Sequence, residues 1–149
     1  MAGSSITVSR SNKEIKGDLK KEVILTITCA SDDANGTVPN LTLNGMSDYV
    51  LAELKPIPDG ATPPTAAFSA IIEDSDGAEV FDSGNIVTVA ADPIAAKQPI
   101  GGHTGHPAGM YPRMEDGMVF KLVTTADHAV AANLGNSKDI VFKARLERK

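Results

Sequence analysis

Hydrophobic and polar residues alternate along much of this chain, which is the pattern of half-buried β-strands rather than of helices. The clearest case is KEVILTITCA, residues 21–30, in which Val23, Leu25 and Ile27 occupy every second position and β-branched side chains predominate. The same kind of pattern predicts further strands within 41–45, 48–57, 67–84, 86–90, 117–126 and 139–149. Since long segments with helical spacing are missing from the sequence, the pattern predicts an all-β chain.

Turn-forming residues separate the predicted strands. Asn35-Gly36 lies in a polar loop, and Asp76-Gly77 is the predicted turn of a β-hairpin within 67–84. The Pro63-Pro64 step excludes a central strand at that point. Seven or eight short strands joined by such turns predict a β-sandwich. Strand order does not follow from strand count, so the immunoglobulin-like and jelly-roll arrangements both remain open.

The length of 149 residues predicts one domain. Residues 1–20 are charged and weakly patterned, and we expect an extended N-terminal arm or an edge segment there. Residues 21–149 then form the β-sandwich, with a long loop at about 91–116. Aromatic residues make up only 4% of the chain and tryptophan is absent, so we expect a thin core that is supplemented by homo-oligomerisation, with a trimer favoured.

Charge and hydropathy exclude several classes of partner. The net charge of −5 argues against nucleic acid, because binding to phosphate backbones requires clustered Lys and Arg. No apolar run reaches the roughly 18 residues that span a membrane, and we see no apolar signal segment near the first residue. The single cysteine, Cys29, excludes an intrachain disulfide and is predicted to be a buried thiol at the end of a strand.

The stretch GGHTGHPAGMYPRM, residues 101–114, carries two of the three histidines, His103 and His106. A zinc site needs three or four ligands, and the other nitrogen or sulfur candidates, His128 and Cys29, belong to no companion motif. A metal held by His103 and His106 across a symmetry axis remains the alternative. Long irregular loops on β scaffolds usually bind partners, so we predict a contact loop that uses His103, His106, Met110, Tyr111 and Met114.

The remaining motifs do not indicate an enzyme. The segment EDSDGAEV begins like a calcium-binding loop at Asp74 and Asp76 but lacks the later ligands, and a hairpin turn explains it. The chain contains no G-x-S-x-G, no G-x-x-x-x-G-K-[ST] and no G-x-G-x-x-G. We therefore predict a non-enzymatic protein without a cofactor.

Turn chemistry in the middle of the chain has a distinctive order. Four short features follow one another in GMSDYVLAELKPIPDGATPPTAAFSAIIEDSDGAEVFDSG: Pro58-Asp59-Gly60, Pro63-Pro64-Thr65, Phe68 and Asp74-Ser75-Asp76-Gly77. Later in the chain, GMVFKLVTTADHAVAANLGNSKDIVFKARL contains a predicted strand, a polar loop and a second predicted strand. This order resembles that of small β-rich virion structural proteins of tailed bacteriophages. The resemblance covers about two thirds of the chain and implies a β-sandwich that assembles into a virion. The basic N-terminal segment and the His-Gly-rich insert depart from the family pattern.

Within that class we favour a capsid decoration or cement protein, which stabilises the particle by binding the major capsid protein or other virion proteins. Such a protein is made in the host cytoplasm and located in the virion. The alternative is a tail, neck or fibre component, including a receptor- or carbohydrate-binding module. Sugar sites usually use exposed aromatic side chains, and Tyr49 and Tyr111 are the two tyrosines of the chain. A small metalloprotein or hydrolase is the third hypothesis, which the motifs do not favour.

Overall fold

A computed structural model of the protein describes residues 3–14, 21–47, 49–86 and 113–148. Its strands are β1 (Ser5–Glu14), β2 (Lys21–Ala30), β3 (Leu41–Leu43), β4 (Tyr49–Pro58), β5 (Phe68–Glu73), β6 (Glu79–Ile86), β7 (Met118–Val123) and β8 (Asp139–Arg148). The described residues contain no helix, so the prediction of an all-β chain is confirmed. Strands β2 and β8 coincide almost residue for residue with the alternating stretches that predict them.

The strands form two four-stranded antiparallel sheets that pack as a β-sandwich. The first sheet has the order β1-β2-β8-β4, and the second sheet has the order β3-β7-β5-β6. The last two strands, β7 and β8, lie in different sheets, whereas the last two strands of an immunoglobulin fold are neighbours in one sheet. The nested pairs β2–β8 and β3–β7 instead follow a jelly roll, in which a long hairpin folds across both sheets.

Among the described strands, β1 is the terminal strand of the first sheet. It pairs with β2 in unbroken register, from Ser5 opposite Ala30 to Glu14 opposite Lys21. Residues 5–14 of the expected arm or edge segment are therefore an edge strand. Val8 pairs with Ile27 and faces the same side, but Val8 is 42% exposed whereas Ile27 is 1% exposed. The second sheet thus covers β2 but leaves this part of β1 open.

The core lies between the sheets and contains a cluster of three phenylalanines. Phe142 on β8 contacts Phe120 on β7 and Phe68 on β5 edge to face, with ring centroids 5.3 Å and 6.2 Å apart. All three rings are fully buried, so they join the first sheet to the second. Cys29 is also buried, and burial raises the pKa of its thiol to about 12, which confirms the prediction of a core thiol.

Two turn predictions are confirmed at glycines with positive φ. Gly36 has a φ of +67° in the turn that follows β2, and Gly77 has a φ of +85° in the hairpin between β5 and β6. Asp74 Oδ1 accepts the N–H groups of Asp76 and Ala78 across that hairpin, at 2.9 Å and 2.8 Å. The Asp74 carboxylate therefore closes the turn, which agrees with the interpretation of this segment as a hairpin.

Candidate functional site

The predicted contact loop falls only partly within the described residues. His103, His106, Met110 and Tyr111 lie outside them. Met114 is 1% exposed in the core, next to β4, where its N–H donates to a carbonyl oxygen at 2.9 Å. The apolar side chain of Met114 is therefore used inside the sandwich and is not offered to a partner.

One group of metal-ligating side chains comes together within the described residues, on the outer face of the second sheet. It consists of Glu79 and Asp82 on β6 and His128 in the connection between β7 and β8, and their ligand atoms lie within 4.8 Å of one another. His128 Nδ1 is 2.7 Å from Glu79 Oε2, and His128 Nε2 is 3.9 Å from Asp82 Oδ2. The three side chains are 23% to 29% exposed, so solvent ions reach them. We call this group the outer-face cluster.

An irregular pairing of β5 with β6 places both carboxylates of the outer-face cluster on one face. Residues 79 and 82 are three positions apart, and in a regular strand they would point to opposite faces. Glu79 pairs with Glu73 and Asp82 pairs with Ile71, which are only two positions apart in β5. Strand β6 therefore contains one extra residue between them, a β-bulge, and the bulge turns both carboxylates to the same side.

The loop of residues 124–131 holds His128 over β6. The Thr124 N–H donates to the carbonyl oxygen of Val130 at 2.9 Å, which closes the loop at its base. The Thr124 hydroxyl donates to the carbonyl oxygen of Asp127 at 2.6 Å, which fixes the backbone one residue before the histidine. Local hydrogen bonds of this kind give the imidazole a defined position above the sheet.

The outer-face cluster sits in a negative environment. The hydrogen bond to Glu79 raises the pKa of His128, partial burial opposes the rise, and the charges of Glu79, Asp82 and Asp127 add to it. The nearby cation on the same face, Lys121, is 2.7 Å from Glu73 and is paired with it. With the imidazole neutral, the cluster carries two negative charges, which favours a bound cation or a proton.

The sequence pattern does not single out the outer-face cluster. Glu79 and His128 are 49 positions apart, in a hairpin and in a polar connection. The only signal is a histidine in a turn-rich segment together with two acidic residues on a predicted strand. A regular period-two alternation would place the carboxylates of Glu79 and Asp82 on opposite faces of β6, so the hydrophobic pattern does not predict the outer-face cluster.

The outer-face cluster can form an ion pair or bind a cation, but none of its three side chains is a serine, threonine or cysteine nucleophile. Cys29, the single thiol of the chain, lies in the core with its pKa raised to about 12 by burial. A thiol of that pKa stays protonated at neutral pH and is not a nucleophile. The three side chains of the outer-face cluster together offer ligand atoms for a cation.

Tyr49 is half-buried, and an intramolecular contact occupies its ring. The guanidinium carbon of Arg10 lies over the ring at 5.4 Å from the centroid, and Nη2 donates to the Tyr49 hydroxyl at 3.3 Å. Arg10 Nη1 also donates to the carbonyl oxygen of Gly45 at 3.1 Å. These contacts fasten β1 to the connection between β3 and β4, and they cover a ring face on which a sugar would stack.

The strands define the class of the protein as an antiparallel β-sandwich with jelly-roll strand order. No family model, curated protein or solved structure matches the chain. In the part of the chain that the structure describes, no helix is long and apolar enough to cross a membrane.

Proposed function

We propose that this chain is a non-enzymatic structural protein of a bacteriophage virion, namely a capsid decoration or cement protein that binds neighbouring subunits. The observation that carries the proposal is the outer edge of β1, a ten-residue strand at the end of the first sheet. The edge of a strand presents a row of backbone N–H and C=O groups that pairs readily with another chain. Jelly-roll sandwiches are also an architecture that viral capsid domains use.

The first half of β1 lacks two features that often protect an edge strand from other chains, namely proline and charged side chains. Residues 5–10, SITVSR, contain no proline and no charge before Arg10. The 42% exposed Val8 and the partly buried Ile6 place apolar surface beside the backbone groups of this edge. Strand pairing and burial of apolar surface would therefore stabilise the same contact.

The terminal strand at the other end of the first sheet, β4, differs from β1 in these respects. It contains Pro56 and Pro58, which have no N–H to donate to another strand. Near its beginning, Val50 forms an antiparallel bridge with Arg113, which belongs to the same chain. The contrast between the two edges makes β1 the edge through which the proposed contact forms.

The proposed partners are the major capsid protein or other virion proteins, and the proposed unit of binding is a homotrimer. A single edge strand gives a small contact. Symmetry repeats that contact, and linked copies bind far more tightly than any one copy. Light scattering during size-exclusion chromatography measures the oligomer directly.

Copy number tests the position in the particle. Quantitative mass spectrometry of purified particles of the phage that encodes the chain should find the chain in numbers comparable with those of the major capsid protein. A few copies per particle would indicate a tail, neck or fibre component instead. Absence of the chain from purified particles would contradict the whole proposal.

Two matched substitutions test the role of β1. Val8→Lys places a charge on the exposed apolar surface of β1, and Val130→Lys makes the same change at a residue that is 49% exposed on the loop of the second sheet. We expect Val8→Lys to weaken co-sedimentation with particles that lack the protein, because a lysine beside an edge strand opposes pairing. Val130→Lys should bind like the unmodified chain. Equal binding by both variants would show that β1 is not the contact.

A further inference from the structure

We propose that Asp82 and His128 bind a divalent first-row transition ion, for which Zn²⁺ is the best fit, between Asp82 Oδ2 and His128 Nε2. Glu79 acts as the positioning residue that orients the imidazole. The site lies on the outer face of the second sheet, whereas the proposed particle contact uses the edge of the first sheet. It therefore stands independently of the proposed function.

The contact with Glu79 fixes the tautomer of His128. An ionised carboxylate only accepts hydrogen bonds, so at 2.7 Å the Nδ1 atom carries the proton that is donated to Glu79 Oε2. In a neutral imidazole the lone pair is then on Nε2, the nitrogen that faces Asp82. Histidines that bind metals usually donate their other ring N–H to a carboxylate or carbonyl in this way.

The gap between His128 Nε2 and Asp82 Oδ2 fits a bridging cation better than a shared proton. The two atoms are 3.9 Å apart, whereas an N–H···O hydrogen bond ends at about 3.2 Å. Zinc bonds of about 2.0–2.2 Å place two ligand atoms about 3.3–3.6 Å apart at a tetrahedral angle. The distance between His128 Nε2 and Asp82 Oδ2 therefore needs to shorten by only a few tenths of an ångström for both atoms to bind one zinc ion. Such a cation would also stabilise the two lone pairs that face each other.

The backbone of β6 holds Asp82 ready for this role. Asp82 Oδ1 accepts a hydrogen bond from the Gly84 N–H at 2.8 Å, which fixes the orientation of the carboxylate. The other oxygen, Oδ2, faces His128. Gly84 has a φ of +72°, a conformation that favours glycine. A ligand oriented by a second hydrogen bond loses less conformational freedom when the ion binds.

The donor set selects the class of ion. One imidazole nitrogen and a carboxylate oxygen suit Zn²⁺ and its first-row neighbours, whereas Mg²⁺ and Ca²⁺ prefer all-oxygen sites. The carboxylates of Glu79 and Asp127 add negative charge around His128. Two protein ligands leave the other coordination positions to water, so we expect weaker binding than in a closed four-ligand site.

Calorimetric titration of the metal-stripped, full-length chain with ZnCl₂ tests the proposal. We expect saturable binding at the outer-face cluster, with no comparable binding of MgCl₂. His128→Gln and Asp82→Asn should each weaken that binding about tenfold or more, and Glu79→Gln should weaken it by a similar factor without changing the stoichiometry. Asp82→Asn is the sharpest variant, because the asparagine carbonyl can still accept the Gly84 N–H while the second carboxylate oxygen is gone.

The double variant His103→Gln/His106→Gln is the matched control, since it removes two imidazoles and leaves Glu79, Asp82 and His128 in the sequence. It should keep the zinc binding that His128→Gln loses. Circular dichroism of each variant checks that the sandwich is folded. Absence of saturable zinc binding in the unmodified chain would show an ion pair only and would overturn the proposal. Zinc binding that persists in both Asp82→Asn and His128→Gln would overturn it as well.

Discussion

Replacing Phe142 with leucine is expected to destabilise the sandwich more than the same replacement at Phe81. Phe142 is 0% exposed on β8, and its ring meets Phe120 and Phe68 of the opposite sheet edge to face. Phe81 is 3% exposed on β6, the terminal strand of the second sheet, and forms no such ring pair within the described residues. The two variants remove similar buried carbon, but only Phe142→Leu removes two aromatic contacts.

The magnitude follows from those two contacts. An edge-to-face aromatic pair contributes about 0.5–1.5 kcal/mol beyond the burial of its area. Phe142→Leu should therefore lower the free energy of unfolding by about 1–3 kcal/mol more than Phe81→Leu. For a domain of this size, 1 kcal/mol corresponds to about 2–4 °C in Tm, so the two midpoints should differ by several degrees.

Urea denaturation followed by circular dichroism measures both variants against the unmodified chain. The slope of unfolding free energy against urea should stay the same, so that the difference in midpoint reports stability alone. Equal destabilisation by the two substitutions would refute the reasoning, because it would mean that the ring contacts between the sheets add nothing to buried area. A larger loss at Phe81 would refute it more strongly.

Three further predictions use other parts of the chain. Gly36→Ala should lower the urea midpoint more than Gly77→Ala, although both glycines have positive φ. A Cβ at Gly36 would clash with Asn133 Oδ1 and crowd the backbone of Gly135, whereas a Cβ at Gly77 meets open space. Cys29 should react with a thiol reagent only when urea unfolds the chain, since burial raises its pKa to about 12; fast labelling of the folded protein would contradict this. In the metal-free protein, the His128–Glu79 pair should stabilise the fold fully below pH 6.5, the ordinary pKa of histidine, and lose this contribution as pH rises through the raised folded pKa. The urea midpoint of His128→Gln should accordingly be lower than that of the unmodified chain at acidic pH, and the difference should shrink as pH rises.

Alternation predicts the strands well because a sheet with one buried face imposes a period of two. In β2, the side chains of Val23, Leu25, Ile27 and Cys29 are all buried at 1% or less, and the residues between them are not. Buried and less buried residues alternate in the same way in β8, which lies beside β2 in the middle of the first sheet. A shift of one residue would move every one of these side chains to solvent, so the pattern is strongly constrained.

Strand order does not follow from the same pattern, because alternation records which face is buried and not which strand lies alongside. The pairing of β2 with β8 brings Val23 opposite Leu146, which are far apart in the chain. An immunoglobulin order would bury the same apolar face of β2 against another strand. The jelly-roll strand order is stabilised by the summed contacts of many such distant pairs, so no short segment of the sequence predicts it.

Strand β6 shows where alternation fails, and the failure produces the outer-face cluster. Val80 and Phe81 are adjacent and both are buried, at 6% and 3%, which a regular strand with one buried face does not allow. The bulge lets both side chains enter the core, and its consequence is that the flanking residues, Glu79 and Asp82, reach the same outer face. The sequence signal for this bulge is a pair of adjacent apolar residues flanked by acidic residues, which a strict period of two does not predict. Because Val80 and Phe81 both enter the core through the bulge, the carboxylates of Glu79 and Asp82 come together on the outer face. His128 contacts them there.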